Sequence, residues 1–202
     1  MKYRPFLFTL FGAFLATGDL RPADAVKNDD YAPHTPTLVF HLAGLTGQKD
    51  EEAIEASVAK LPGVRKVSVD SVHGLAQVRF DSHVVSYHQV AQALADAGTA
   101  VGKQFDPRLK IRVPAYAQDG NAAKVDAVFT GKRLNQRVHV EPVDKAKGEF
   151  LVRFLPLQAD PGGTGPQGFN GGHLHHPIND PPPRGLGLEM SYETPVELAA
   201  PR

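Results

Sequence analysis

Cysteine and tryptophan are both missing from this 202-residue chain. The first absence removes disulfides, thiolate metal sites, cysteine nucleophiles and a lipid anchor on an N-terminal cysteine. The second, together with only two methionines, leaves few aromatic platforms and few soft sulfur ligands. Neither sign of charge is in excess: 22 basic residues stand against 22 acidic ones. That balance gives no electrostatic footprint for nucleic acid or for an anionic membrane surface. Long apolar runs are lacking too, since the one near the N-terminus ends at Thr17 before Gly18-Asp19, short of the roughly 20 residues that span a bilayer. No Ser/His/Asp set on a nucleophile elbow and no carboxylate pair in a catalytic motif occurs, which argues against an enzyme.

What is present starts with a secretory pattern. Lys2 and Arg4 form a positive n-region, Phe6 to Ala16 an apolar stretch, and Ala23-Asp24-Ala25 a small-residue cleavage site. Residues 1–25 are therefore expected to be a signal peptide, with residues 26–36 a linker. The mature protein is expected to be periplasmic or secreted, with no stable membrane anchor after cleavage. A hydrophobic content of 42% suffices for a buried core.

Periodicity then lays out a first module over residues 37–103. Leu38, Phe40 and Leu42 alternate as a half-buried strand. Ile54, Val58 and Leu61 recur at helical spacing after the acidic start Asp50-Glu51-Glu52, and Pro62-Gly63 ends that helix. Val64, Val67 and Val69 make a second strand, His73-Gly74 a turn, and Ala76, Val78 and Phe80 a third strand. Ser86 and Gln89 form a capping box for a second helix with Tyr87, Val90, Leu94 and Ala97 inside, and Gly98 is read as its stop. A short strand at Ala100–Val101 would complete a βαββαβ order, and the fold class is α+β, ferredoxin-like.

These segments, with Gly44-Leu45-Thr46, Leu61-Pro62-Gly63-Val64, Val78-Arg79-Phe80-Asp81 and Ala95-Asp96-Ala97-Gly98, resemble the heavy-metal-associated (HMA) domain. The resemblance implies a Gly-Met-Thr-Cys-x-x-Cys loop whose two thiolates bind copper, mercury or zinc. Here the cysteine positions are Gly47 and Asp50, and the methionine position is Leu45. Soft metals select thiolates, so a glycine and one hard carboxylate cannot replace the pair. Asp50 is expected to cap its helix instead. The position after the last glycine, often an aromatic residue or lysine in the family, is Thr99.

A second module over residues 109–192 repeats the plan. Leu109, Ile111 and Val113 alternate, Val125, Val128 and Phe129 follow Asn121 at helical spacing, and residues 138–154 read as a hairpin around Lys145–Gly148. Where a second helix should stand, residues 156–187 hold 7 prolines and 8 glycines, a density of breakers that predicts a Gly/Pro/His-rich loop with no ordinary helix. Leu186, Leu188, Met190 and Tyr192 predict the closing strand, with 193–202 a tail. The loop carries His173, His175 and His176, with Asn179 and Asp180 beyond. Imidazoles suit Zn²⁺, Cu²⁺ or Ni²⁺. An extended segment would put His173 with His175 on one face, and a helical turn would put His173 with His176; a solvated or loop-pinning role is the alternative. His41, His139 and Glu141 are expected on the sheet face away from the helices, and His83 and His88 as solvated polar positions. Gly162 to Gly165 lacks the Lys-Ser/Thr of a phosphate loop.

No cofactor is required by the sequence; Zn²⁺ or Cu²⁺ is the candidate ion at His173, His175 and His176. The expected function is an exported, non-catalytic binding protein whose partner is a divalent metal ion or a protein. The alternative is a metal-free protein–protein interaction module, because a ferredoxin-like fold by itself does not select a function.

Overall fold

The computed structural model describes residues 35–157 and 168–196. The expected signal peptide, most of the linker, residues 197–202 of the tail and the run Gly162–Gly165 lie outside the described residues.

The first unit runs β1 (Thr37–Leu42), α1 (Gln48–Val58), β2 (Val64–Asp70), β3 (Leu75–Phe80), α2 (Tyr87–Ala100) and β4 (Pro107–Arg112). Its strands lie in the order β2-β3-β1-β4, every neighbouring pair antiparallel, which is the ferredoxin-like arrangement. The sequence located both helices and the start of the second. Ser86 Oγ accepts from the Gln89 N–H at 3.1 Å while Gln89 Oε1 accepts from the Ser86 N–H at 2.8 Å, a complete capping box. Ile54, Val58, Val90 and Leu94 are buried without remainder.

The fourth strand is a correction. Ala100–Val101 is not a strand, because α2 continues through Ala100 and β4 follows it. Gly98 is a packing glycine rather than a stop: a Cβ there would meet the Phe105 ring at 2.8 Å and the Lys103 carbonyl at 3.0 Å. The true stop is Gly102, at φ +73°. Lys103 N–H donates to Gly98 O at 2.8 Å and Gly102 N–H to Thr99 O at 3.1 Å, the paired bonds of a Schellman ending.

The second unit continues from β4 with α3 (Asn121–Thr130), α4 (Lys132–Asn135), β5 (Val138–Asp144), β6 (Glu149–Phe154), α5 (Gly172–Asn179) and β7 (Ser191–Tyr192). β6 pairs with β4 from Arg108↔Arg153 to Arg112↔Glu149, β5 pairs with β6, and β7 pairs with Ile111 and Arg112 of β4. β4 is thus the last strand of one βαββαβ unit and the first of the next, and the second module's expected start at 109 falls inside a strand both units use. One edge of β4 meets β1 at residues 107–109 and β7 at 111–112.

A single core results. Phe40, Leu109, Ile111, Phe150 and Val152 bury on the helix side, joined by Val125 and Phe129 of α3 and by Leu174 and Ile178 of α5. The opposite face is charged, and the end of the described chain crosses it: Glu193 pairs with His41, and Gln77 Nε2 donates to Val196 O at 2.7 Å. His41 therefore stands on the face expected of it. Arg108 reaches Glu141 there at 3.4 Å.

The helix α5 overturns the expectation of a helix-free loop at 156–187. Leu174 and Ile178, one helical turn apart, are both fully buried, and that gain outweighs the bond lost at Pro177. The chain after α5 folds back upon it, Leu186 N–H donating to Pro177 O at 3.0 Å and Leu188 N–H to Ile178 O at 2.8 Å. Those bonds take up residues expected in a long closing strand, so β7 is confined to Ser191–Tyr192.

Candidate metal centre

Two places bear on metal chemistry. At the first, the loop before α1, the chain supplies its own cation. Asp50 is the third residue of α1 and only 3% exposed. Its Oδ2 accepts from the Thr46 N–H at 2.8 Å and from Thr46 Oγ1 at 3.1 Å, and the Lys103 ammonium rests upon it. Lys103 Nζ also donates to Thr46 Oγ1 at 2.6 Å. The hydrogen bond from Lys103, then that from the Thr46 backbone, holds the Asp50 carboxyl below its usual pKa. Asp50 is therefore not the expected cap, because the N–H it accepts, that of Thr46, lies ahead of the N-cap residue and no side chain caps the helix. Gly47 at the N-cap position makes no side-chain bond, and Asp50 reaches back to fix the loop ahead of the helix. An ammonium occupies the mouth of the loop where thiolates would need a metal. Lys103 directly follows Gly102, the true stop, so the lysine expected after the final glycine stands here and not at Thr99; the sequence misplaces it because Gly98 reads as that glycine.

The second place is α5. His175, His176 and Asp180 each present a ligand atom within 4.8 Å of the other two. The i, i+4 spacing sets His176 over Asp180, with Nδ1 3.2 Å from both carboxylate oxygens. Without an ion, that is a hydrogen bond. Around an ion with bonds near 2.0–2.2 Å, adjacent tetrahedral ligands stand about 3.3 Å apart, so the same pair fits one coordination edge. The rings of His175 and His176 meet edge to face at 6.0 Å. Two glycines make room: a Cβ on Gly172 would sit 3.1 Å from His176 Cδ2, and one on Gly185 would sit 2.4 Å from His176 O and 2.6 Å from Asp180 O. The negative end of the α5 dipole favours a cation at this end of the helix.

Of the three histidines singled out in the sequence, the structure brings two together. His173 turns away, its Nδ1 accepting the Asn170 N–H at 2.8 Å and its ring stacking on Phe169 at 5.8 Å. It pins the start of α5, the loop-pinning role weighed for this segment. Asn179 is likewise engaged, Nδ2 donating to Met190 O at 3.3 Å. Asp180, ranked below the histidines, completes the group. His83 is exposed beside Asp81, as expected. His88 is not solvated as expected but 2% exposed, because Leu155 and Phe169, distant in sequence, close over its ring.

Two imidazoles and a carboxylate are a donor set for a borderline divalent ion, Zn²⁺, Ni²⁺ or Cu²⁺, and a poor one for Cu(I). Among the described residues no other group of three such side chains converges.

The profile of the heavy-metal-associated domain matches residues 39–99. The chain is 38% identical over 64 residues to the copper chaperone CopZ of Bacillus subtilis (strain 168), a match over 32% of this chain and 93% of that protein. It is 29% identical over 125 residues to the copper-transporting ATPase RAN1 of Arabidopsis thaliana, spanning 59% of this chain but 12% of the ATPase. Among solved structures, oxidized MerP from Ralstonia metallidurans CH34 is 26% identical, covering 36% of this chain and 96% of that chain with a TM-score of 0.30.

Proposed function

Because the chain belongs to the heavy-metal-associated domain family yet has no thiolate in the family loop, we propose that it is an exported, non-catalytic protein binding a borderline divalent metal through His175, His176 and Asp180. The observation that carries this reading is the convergence of those three side chains on one end of α5. The metal is cargo, not a catalyst. Similarity to copper-binding relatives supports metal handling as the class of function, while the donor set argues for Zn²⁺ or Cu²⁺ over Cu(I). Lys103 upon Asp50 supports the same division, since an ammonium in the family loop leaves that loop no charge to offer an ion. Export rests on the residues around Ala23 and Ala25; mass spectrometry of the exported chain should find Val26 at its start, and retention of Met1 to Ala25 would remove that part.

Calorimetry on protein purified without a histidine tag tests the metal. One Zn²⁺ or Cu²⁺ should bind per chain, and His175→Ala or Asp180→Ala should weaken it at least tenfold. His173→Ala should keep the ligand set. Equal affinity in the parent and in the variant lacking all three ligands would exclude the site. No binding by the parent would favour the metal-free interaction module.

A further inference from the structure

His88, the second residue of α2, lies between Leu155, just after β6, and Phe169, just before α5. The Phe169 backbone N–H donates to its Nδ1 at 3.3 Å. A backbone N–H has no lone pair to offer, so Nδ1 accepts and the ring proton sits on Nε2, from which it is donated to the Leu155 carbonyl. The geometry selects one neutral tautomer. The His88 N–H in turn donates to Phe169 O at 3.1 Å, the Tyr87 N–H to Asn170 Oδ1 at 3.3 Å, and the ring packs edge to face on Phe154 at 5.3 Å. Phe169 then carries the His173 ring, and Asn170 bonds to His173 Nδ1, which opens α5.

We propose that His88 is an acid-sensitive clamp on α5: a second proton, taken at Nδ1, expels the Phe169 N–H and loosens the start of the helix that carries His175, His176 and Asp180. The part of this that concerns metal release rests on the reading of those three residues as ligands. Protonation would set two donors face to face across 3.3 Å at a contact buried from solvent, a repulsion relieved by moving them apart. Burial already disfavours the imidazolium and holds the His88 pKa below its usual value, with the charge of Arg137 acting in the same direction and the Leu155 carbonyl opposing. The other charged groups nearby are Asp96, Asp106 and Arg153, which line with His88 a cleft of about 400 Å³ between α2 and β6. Asp106 is engaged by Arg108 at 2.7 Å and Arg153 at 3.3 Å. His173 lies across Phe169. Acting through Phe169, His88 is a positioning residue, and the ion should leave more steeply with falling pH than two imidazole ligands alone would dictate.

The test uses the full chain and Zn²⁺ as probe. In metal-free protein followed by ¹⁵N NMR, the His88 ring should hold the Nε2–H tautomer at pH 7.5, and its titration should coincide with loss of protection at the Phe169 amide. His88→Gln keeps a donor for Leu155 and cannot titrate. Its Zn²⁺ affinity should fall less steeply than the parent's once the pH drops below the His88 pKa, itself under the ordinary histidine value, the difference approaching about tenfold per pH unit, the equivalent of one proton. A Phe169 amide unmoved through the His88 titration, or the same pH slope in both proteins, would overturn the clamp. Absence of Zn²⁺ binding by the parent at pH 7.5 overturns the metal reading and the release with it, whereas the metal-free amide measurement still decides whether His88 clamps Phe169. Should His88→Gln fail to fold, the titration of the parent alone decides.

Discussion

Replacing Ile178 by alanine strikes at what makes α5 a helix. The side chain is fully buried and joins Leu174 in the common core. Truncation withdraws roughly three carbon groups at ~0.8 kcal/mol each, about 2.4 kcal/mol of transfer free energy. A residual cavity adds to that, since the surrounding sheet cannot collapse fully, and the total comes to about 3 kcal/mol. For a domain of this size each kcal/mol moves the melting temperature by about 2–4 °C, so a fall of about 6–12 °C is expected. Urea unfolding should show a lower midpoint at unchanged slope, the mark of lost stability without a change in the surface exposed. Val196→Ala is the control: that side chain is 52% exposed and its loss should cost within about 0.5 kcal/mol. Matching midpoints for the two variants would mean that α5 is not packed as described, and the placement of His175 and His176 would lose its support.

Gly148 sits at φ +66°, where a Cβ would come within 1.9 Å of the Val113 carbonyl oxygen, so Gly148→Ala should displace the β5–β6 turn and lower stability by about 2 kcal/mol or more in the same urea assay. The Asp50 carboxyl has a folded pKa below its unfolded value of about 3.9, so its contribution is present above that pH and lost as pH falls through the lower folded value. Lys103→Met should remove the cause of the shift, lowering stability at pH 7 and narrowing the gap to the parent at pH 3, and an equal gap at both pH values would refute the ion pair. Cu(I) should not be retained by the protein against a strong competing chelator, because neither Gly47 nor Asp50 supplies a thiolate; retention would place a soft site where none is described.

The first unit was legible because each element carries a local signal. The capping box at Ser86–Gln89, the Ile54/Val58 and Val90/Leu94 spacings and the alternation in β1 and β3 all reappear in the structure. What escaped depends on contacts between distant residues. Gly98 looked like a stop because the ring of Phe105, which requires a glycine there, is invisible to periodicity. The breakers in residues 156–187 outvoted the Leu174/Ile178 pair on propensity, yet burial against the sheet decides the matter for so short a helix. At the candidate site, His175 and His176 were visible as composition. Asp180 joined them only once a helical turn set it over His176, and His173 left the group because a nearby backbone N–H claimed its ring. The burial of His88 was not legible at all, for its partners lie 67 and 81 positions away.

The strand β4 leaves its own mark on how the molecule behaves as a whole. Tandem domains joined by a linker can melt separately, swing, and be cut apart into working halves. Here a cut between 103 and 107 would strip β1 of β4 along Phe40–Leu42 and leave an open sheet edge, while in the downstream half residues 107–109 of β4 would face water. The halves are welded, so the loop holding Lys103 on Asp50 and the helix holding His175 and His176 keep a fixed separation and orientation. Loss of order at one should be felt at the other as a single cooperative transition, with no hinge between them to absorb it.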